Sequence, residues 1–191
     1  DFFPQQSFSS RKQKFEPGSY GMTEQPLKMT VDDNVRFSVV IFPTLKTSHP
    51  QTLIEFGQFC LILDSEGHVS FSFGSEIVTT VDAISIRCWH RVEAQISTTG
   101  LMSIELINLI NSTSSKPTVI QIDLEQDLNE QAHVIIAAKR VGGSTKNCFN
   151  GKIEHPEICA DGQIIAFWDF SENIPSLAVT GVECPDLTLV N

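Results

Sequence analysis

The sequence predicts an all-β protein, built as a two-sheet antiparallel jelly-roll sandwich. Short segments rich in β-branched and aromatic residues recur along the chain, and turn-forming residues separate them. Helical periodicity is nearly absent and is confined to the short segment 124–132. Two stacked sheets are expected, because a single open sheet in a chain of 191 residues would leave one face unburied.

Nine segments are predicted to form strands, and several of them alternate apolar with polar residues. In chain order they are 35–42, 59–64, 68–73, 90–97, 101–108, 118–124, 132–138, 149–155 and 163–170. The turn at 64–67 joins the second and third of these segments into a hairpin. The turn at 98–100 joins the fourth and fifth in the same way.

Composition and charge limit the possible functions. Hydrophobic residues make up 41% and charged residues 19% of the chain, which is typical of a globular domain. The net charge of −10 argues against a nucleic-acid partner, since phosphate binding needs clustered lysine and arginine. No apolar run approaches the roughly 18 residues of a membrane helix. Residues 1–16 are predicted as an N-terminal arm or linker remnant, and 17–191 as a single domain of a longer protein.

The five cysteines are an odd number, so they cannot all pair with one another. Cys60 and Cys88 lie in apolar segments and are expected to be unpaired, buried thiols. Cys148, Cys159 and Cys184 lie near turns and could bridge, Cys148 with Cys159 most easily. The spacings typical of zinc ligands do not occur. We therefore expect a reducing, cytoplasmic location, although the sequon at 111–113 points the other way.

One short motif suggests catalysis. Glu125, Asp127 and Glu130 have the Glu-x-Asp-x-x-Glu spacing of laminarinase-like glycosidases, in which a bulged strand aims two carboxylates at one cleft. The intervening residues Gln126 and Asn129 are polar, however, where such a strand would turn apolar residues to the core. The sequence therefore favours a solvated connection between two strands over an active site.

The other candidate residues have simpler interpretations. Residues 32–34 (Asp-Asp-Asn) and Asp169 could supply oxygens for calcium, but an Asp-Asn turn before a strand is the commoner arrangement. Trp89 and His90 are adjacent on a strand and should face opposite sides, one towards the core. Phe71, Trp168 and Phe170 are predicted to contribute to the core. No catalytic, cofactor-binding or metal-binding residue is predicted.

Two late motifs carry a family resemblance. "FNGKIEHPEI" at 149–158, followed by "AFWDFSENI" at 166–174, resembles the laminin-G and pentraxin-like group of concanavalin A-like sandwiches. With shorter matches at 17–22, 41–54, 59–71, 88–96, 135–138 and 187–191, the chain looks closest to the lectin-like domain of the N,N-dimethylformamidase large subunit. The resemblance implies fold-defining positions at Gly151, for close backbone approach or positive φ, and at Trp168.

The resemblance also implies a role. In that family a mononuclear iron is held by tyrosines and a glutamate in another part of the large subunit. This chain has a single tyrosine, Tyr20, so no iron and no amidase activity are expected of it alone. The expected function is a non-catalytic interaction domain that packs against other domains or subunits of an amidohydrolase. The alternative is a carbohydrate-binding lectin domain, and a jelly-roll glycosidase is a distant third.

An aromatic side chain at the rim of the sandwich, or a bound calcium ion, would distinguish a lectin from a packing domain. Both tryptophans, Trp89 and Trp168, lie in predicted strands rather than at a rim. This observation favours the packing domain at the level of sequence.

Overall fold

The computed structural model describes residues 19–171, 178–179 and 184–190, and the predicted arm at 1–16 lies outside the described residues. Within these ranges the regular structure consists of β-strands. In the described part of the chain, no helix is long and apolar enough to cross a membrane. The prediction of an all-β protein is confirmed.

Nineteen strands are found in the described residues. They are β1 (Tyr20–Thr23), β2 (Leu27–Met29), β3 (Asn34–Pro43), β4 (Gln51–Phe56), β5 (Phe59–Leu63), β6 (Val69–Phe73), β7 (Glu76–Thr79), β8 (His90–Ser97), β9 (Leu101–Asn108), β10 (Thr113–Ser114), β11 (Thr118–Gln121), β12 (Glu130–Ala132), β13 (Val134–Ile136), β14 (Lys139–Val141), β15 (Ser144–Lys146), β16 (Gly151–Ala160), β17 (Gln163–Phe167), β18 (Ala178–Val179) and β19 (Leu187–Val190).

Two large antiparallel sheets form the sandwich. The larger sheet has the order β18-β19-β1-β13-β4-β5-β6-β7. The smaller sheet has the order β10-β9-β8-β3-β16-β17, with β11 paired to β9. Two ribbons, β2 with β12 and β14 with β15, flank the sheets. Each sheet combines strands from distant parts of the chain, as in β1 with β19 and β3 with β16.

The core lies between the inner faces of the two sheets. On β3 the inward residues Val35, Phe37, Val39 and Ile41 are almost completely buried, as strict alternation requires. The Phe37 ring packs between sheets against Phe59 and Phe71, with centroids 5.3 and 5.5 Å apart. Burial of these rings supplies a large share of the hydrophobic stabilisation.

The aromatic residues predicted for the core are found there. Phe71 and Trp168 are both 0% exposed, and the Trp168 Nε1 donates a hydrogen bond of 3.1 Å to the Pro185 carbonyl. Phe170 is partly buried against the same core. The hydrogen bond lets the indole be buried without leaving its N–H unsatisfied.

Gly151 permits close packing at the start of β16. A Cβ at this position would lie 2.4 Å from the Phe42 carbonyl oxygen and 2.8 Å from the Phe149 ring. The φ angle of Gly151 is not positive. Of the two reasons expected for this glycine, close backbone approach is therefore confirmed and positive φ is not.

The prediction that Cys60 and Cys88 are unpaired is confirmed, and the predicted burial of Cys88 is wrong. All five cysteines are thiols rather than halves of a disulfide. Cys148 and Cys159 cannot bridge, because most of the extended strand β16 (Gly151–Ala160) lies between them and holds their Cα atoms well beyond the roughly 7 Å that a disulfide can span. Cys60 is buried as predicted, whereas Cys88 is only half-buried, since it lies in the bend before β8 and not on the strand.

Candidate functional site

A groove of about 450 Å³ crosses β8, β3, β16 and β17 on the outer face of the smaller sheet, the face turned away from the core. Its lining combines two guanidinium groups, two carboxylates, a hydroxyl, an aliphatic floor and two rings. The residues are Arg36, Ser38, Val40, Arg91, Glu93, His155, Glu157 and Phe167. We refer to it as the outer groove.

One row of residues runs across the strands at the centre of the outer groove. Strand register places Glu105 opposite Glu93, Glu93 opposite Ser38, Ser38 opposite Glu157, and Glu157 opposite Phe167. Neighbouring Cβ atoms in such a row are about 5 Å apart. Like charges placed directly opposite, as Glu93 and Glu105 are, destabilise a sheet, so this arrangement is not explained by stability.

The two arginines lie on opposite sides of this row. Arg36 and Arg91 are each two residues along their strands from the row, or about 7 Å. The Arg36 Nη2 donates a hydrogen bond of 2.8 Å to Glu157 Oε1. Arg91 is exposed and forms no ion pair with any described residue. One guanidinium is therefore fixed, and the other remains available to a ligand.

Cys159 holds the fixed ion pair in place. Its Sγ lies 3.2 Å from Arg36 Nη2 and 3.2 Å from Glu157 Oε1. Burial raises the pKa of the Cys159 thiol, and its hydrogen bond to Glu157 acts in the same direction. The neutral thiol donates to Glu157, so Cys159 contacts both partners of the ion pair that lines the outer groove.

A β-bulge in β16 determines which side chains face the outer groove. Glu154 pairs with Val40 and Glu157 with Ser38, so three steps on β16 match two on β3. Without the extra residue, Glu157 and Cys159 would point into the core, because a shift of one residue exchanges the two faces of a strand. The bulge therefore explains why β16 presents the polar side chain of Glu157 to the outer groove.

The same bulge positions a ring at the edge of the outer groove. His155 has φ +48°, which is uncommon for a residue other than glycine. Its ring is nearly parallel to Phe167, with centroids 5.9 Å apart and planes 11° apart. Its Nε2 lies 3.2 Å from Asp169 Oδ1. Hydrogen bonds donated by Ser171 lower the pKa of Asp169, which keeps this acceptor ionised.

Two other grooves are less suited to a ligand. A groove of about 370 Å³ is lined by carboxylates of one sign, from Glu76, Asp123 and Glu125, without a facing cation. A groove of about 290 Å³ beside His90 is lined mainly by hydroxyls and short side chains. The outer groove alone among these three combines both charge signs with exposed ring surface, as ligand sites usually do.

The segment with glycosidase-like spacing does not form a shared cleft. Glu125 and Asp127 are exposed on the connection between β11 and β12. Glu130 begins β12, and its carboxylate accepts a hydrogen bond of 2.9 Å from the Gln58 backbone N–H. Only Glu125 of the three lines a described groove. The interpretation of this segment as a solvated connection is confirmed for Glu125 and Asp127.

The predicted Asp-Asn turn at 32–34 is also observed. Backbone N–H groups of Asp32, Asp33 and Asn34 donate to the Asp161 carboxylate over 2.8 to 3.1 Å. These bonds lower the pKa of Asp161. Within the described residues, no group of three or more His, Cys, Asp or Glu side chains is arranged to hold a metal ion.

Trp89 and His90 face opposite sides, as predicted. His90 is buried, and its Nε2 donates a hydrogen bond of 3.1 Å to the Ser85 carbonyl. Trp89 is half-buried on the outer face, in contact with Phe42. Tyr20, the single tyrosine, lies far from these groups in sequence and packs beside Ile135 in a small cluster on the larger sheet.

The outer groove was not predicted from the sequence. The polar positions of the predicted strands 35–42 and 90–97 were a usable signal, since they place Arg36, Ser38, Arg91 and Glu93 on one face. A second signal was Pro156, because proline inside a strand marks an edge or a bulge. Neither signal shows that these strands are neighbours.

Comparison with known proteins establishes the fold but no family. No family profile matches the sequence, and none of the curated proteins shows significant sequence similarity to it. Among solved structures, a native heptameric SAP-like pentraxin from Limulus polyphemus matches with a TM-score of 0.53 and 15% identity, over 82% of this chain and 73% of that chain. Sequence identity this low is evidence of a common fold alone.

Two further structures have the same fold. A candidate carbohydrate-binding protein from Bacteroides ovatus matches with a TM-score of 0.63 and 12% identity over 91% of this chain, which spans 56% of that chain's length. The CBM40 of a Ruminococcus gnavus IT-sialidase, bound to α2,3-sialyllactose, matches with a TM-score of 0.52 and 12% identity, over 72% of this chain and 85% of that chain. The chain is a lectin-like, jelly-roll β-sandwich.

None of the three structures described here is named as an amidohydrolase. The three structures confirm the sandwich fold that the resemblance predicted. The assignment of this chain to the N,N-dimethylformamidase family gains no support from them. The fold alone does not decide the function, because sandwiches of this kind serve many roles.

Proposed function

We propose that this chain is a non-catalytic, lectin-like domain that binds carbohydrate in the outer groove. The observation that carries the proposal is the presence of an available guanidinium, two carboxylates and two half-buried rings on one sheet face. Side chains fixed on strands hold a ligand more precisely than side chains on loops.

The chemistry of the outer groove suits a sugar. Each sugar hydroxyl both donates and accepts hydrogen bonds. Arg91 offers donors, Glu93 and Glu157 offer acceptors, and Ser38 offers both. Phe167 presents an apolar surface against which the C–H groups of a pyranose can pack. These rings lie on the face of the smaller sheet, in β16 and the edge strand β17, rather than at the rim where an exposed aromatic side chain was expected of a lectin.

The comparisons support the same class of ligand. Two of the three similar structures are named for carbohydrate binding or for a bound sugar. They support the alternative stated from the sequence better than the interaction domain of an amidohydrolase. We propose no catalytic role and no bound cofactor, since the glycosidase motif is not gathered into one cleft.

A packing role is the second candidate, and one observation favours it. Ile77 and Val81, in and beside the edge strand β7, are 58% and 74% exposed. Exposed aliphatic side chains next to an open sheet edge are suited to contact with another domain or subunit. A cytoplasmic location belongs to the same proposal, and the five thiols favour it because disulfides are rare in reducing compartments.

A glycan array followed by titration calorimetry tests the carbohydrate proposal. We expect at least one glycan to bind, and Arg91→Ala and Glu93→Gln each to weaken that binding about tenfold. Lys28→Ala, which removes an exposed cation from a flanking ribbon, is the matched control and should leave binding unchanged. Absence of binding to any glycan, or binding that Arg91→Ala leaves intact, would overturn the proposal.

A further inference from the structure

A second aromatic pair lies on the same face as the outer groove. The rings of Phe42 and Trp89 are in contact, with centroids 5.2 Å apart and planes 51° apart. Both side chains are half-buried, so each keeps part of its surface in solvent. Phe42 is an outward residue of β3, and Trp89 directly precedes β8, whose first residue His90 pairs with Ile41.

The Phe42–Trp89 pair continues the outer groove along its strands. Val40, which lines the outer groove, is two residues from Phe42 on the same face. Arg91, which also lines it, is two residues from Trp89. Because residues two apart on a strand share a face and lie about 7 Å apart, the pair borders the end of the outer groove.

The two ring platforms are separated by more than the size of one sugar. Phe167 lies in the same cross-strand row as Ser38 but two strands away, on β17. Ser38 is itself four residues along β3 from Phe42. Strand rise and strand spacing then separate Phe42 from Phe167 by about 17 Å. A single pyranose ring cannot contact both platforms, whereas a chain of several can.

The charges that line the outer groove indicate an uncharged ligand. The outer groove holds two guanidinium groups, Arg36 and Arg91, and two carboxylates, Glu93 and Glu157, so these groups balance. Glu105 lies in the same central row, opposite Glu93, and adds a further negative charge beside the outer groove. The chain as a whole carries a net charge of −10. An acidic polysaccharide would meet unfavourable electrostatic potential here, and a neutral one would not.

We infer that the ligand is a neutral oligosaccharide that crosses the smaller sheet diagonally, from the His155–Phe167 platform on β16 and β17 to the Phe42–Trp89 platform at β3 and the start of β8. This inference rests on the proposed carbohydrate function and specifies the length and charge of its ligand. Phe167 and Arg91 serve any ligand of the outer groove, whereas Phe42 and Trp89 contribute only when the ligand is long enough to reach them.

Calorimetry with neutral glucan, xylan and mannan oligosaccharides, from disaccharide to hexasaccharide, tests the inference. We expect the affinity of the bound series to rise about tenfold with length, the effect of one added stacking contact. Trp89→Ala should abolish this rise and leave disaccharide binding unchanged, while Phe167→Ala should weaken binding at both lengths. Trp89→Tyr should retain the rise, and Ile77→Ala, on the opposite sheet, should change neither value.

The outcomes separate the inference from the function on which it rests. Equal affinity for disaccharide and hexasaccharide, or a length dependence that Trp89→Ala leaves intact in a protein with native near-UV circular dichroism, would overturn the extended site. Tighter binding of sialyllactose or oligogalacturonate than of the neutral series would overturn the charge assignment. Failure of every oligosaccharide to bind, at any length, would instead remove the proposed function itself.

Discussion

The imidazole of His155 lies nearly parallel to the phenyl ring of Phe167, with 5.9 Å between ring centroids. This contact depends on a backbone conformation with φ +48° at His155. Such a conformation costs a non-glycine residue roughly 1–2 kcal/mol. The fold tolerates that cost at a position where a ring borders the outer groove, and strained residues of this kind are concentrated at functional sites.

Replacement of His155 separates backbone strain from ring contact. His155→Gly removes both the ring and the strain, whereas His155→Ala removes the ring alone. We expect the glycine variant to be more stable than the alanine variant by about 1 kcal/mol in urea unfolding. Both variants should bind the ligand of the outer groove more weakly than the native protein. Equal stability of the two variants would show that the backbone relaxes without the side chain.

Truncation of Trp168 tests the core. The indole is fully buried and hydrogen bonded to Pro185, so Trp168→Ala should lower the free energy of unfolding by about 3–5 kcal/mol. Trp89→Ala removes a half-buried indole and should cost less. Urea unfolding followed by circular dichroism measures both. A loss below about 1 kcal/mol for Trp168→Ala would place this residue outside the core.

Acid should destabilise the fold through His90. Burial lowers the pKa of His90 below its ordinary value of 6.5, against the opposing effect of its hydrogen bond to Ser85. Its Nδ1 is buried without a partner, so a proton there would be unsatisfied. The unfolded chain binds this proton below about pH 6.5 and the folded chain does not, so the free energy of unfolding should fall as the pH is lowered from there towards the folded pKa.

His90→Gln provides the test of that pH dependence. Glutamine keeps a donor for the Ser85 carbonyl and cannot be protonated in this range. Unfolding measured between pH 8 and pH 5 should show a smaller decrease for the variant than for the native protein. A decrease of the same size in both proteins would assign the effect to other groups.

Thiol labelling distinguishes the cysteines by burial. Burial raises the pKa of Cys60 to about 12, so its reactive thiolate is scarce in the native protein at pH 8. Cys60, Cys148 and Cys159 should be alkylated slowly, and the half-buried Cys88 and Cys184 first. Peptide mass spectrometry measures the order, and labelling in urea should reach all five. An intact mass lower by two hydrogens would reveal a disulfide and contradict the structure.

Local sequence patterns were sufficient for the hairpins. The predicted strands 90–97 and 101–108 match β8 and β9 because alternation and a tight turn are encoded within a few residues. The predicted segment 149–155 proved shorter than β16, which runs to Ala160, because the bulge at His155 and Pro156 interrupts the alternation. The presence of a strand was therefore easier to predict than which of its residues face the core.

The candidate site could not be predicted in the same way. Arg36 and Glu157 form an ion pair although 121 positions separate them in the chain. Nothing in either local segment specifies that β3 pairs with β16, because any two strands with suitable inner faces could do so. The outer groove arises from that pairing and from the position of the bulge, which decides which side chains of β16 face outward. Both depend on tertiary structure.

The long-range pairing of β3 with β16 has a consequence for biosynthesis. Pairing of Val35 with Ala160 requires almost the whole strand β16 to have left the ribosome. At 5–20 residues per second, translation of the intervening segment takes roughly 6–25 s. During this interval one edge of β3 has no partner and can pair with other nascent chains. The domain should therefore depend on chaperones during synthesis more than a protein with local contacts does.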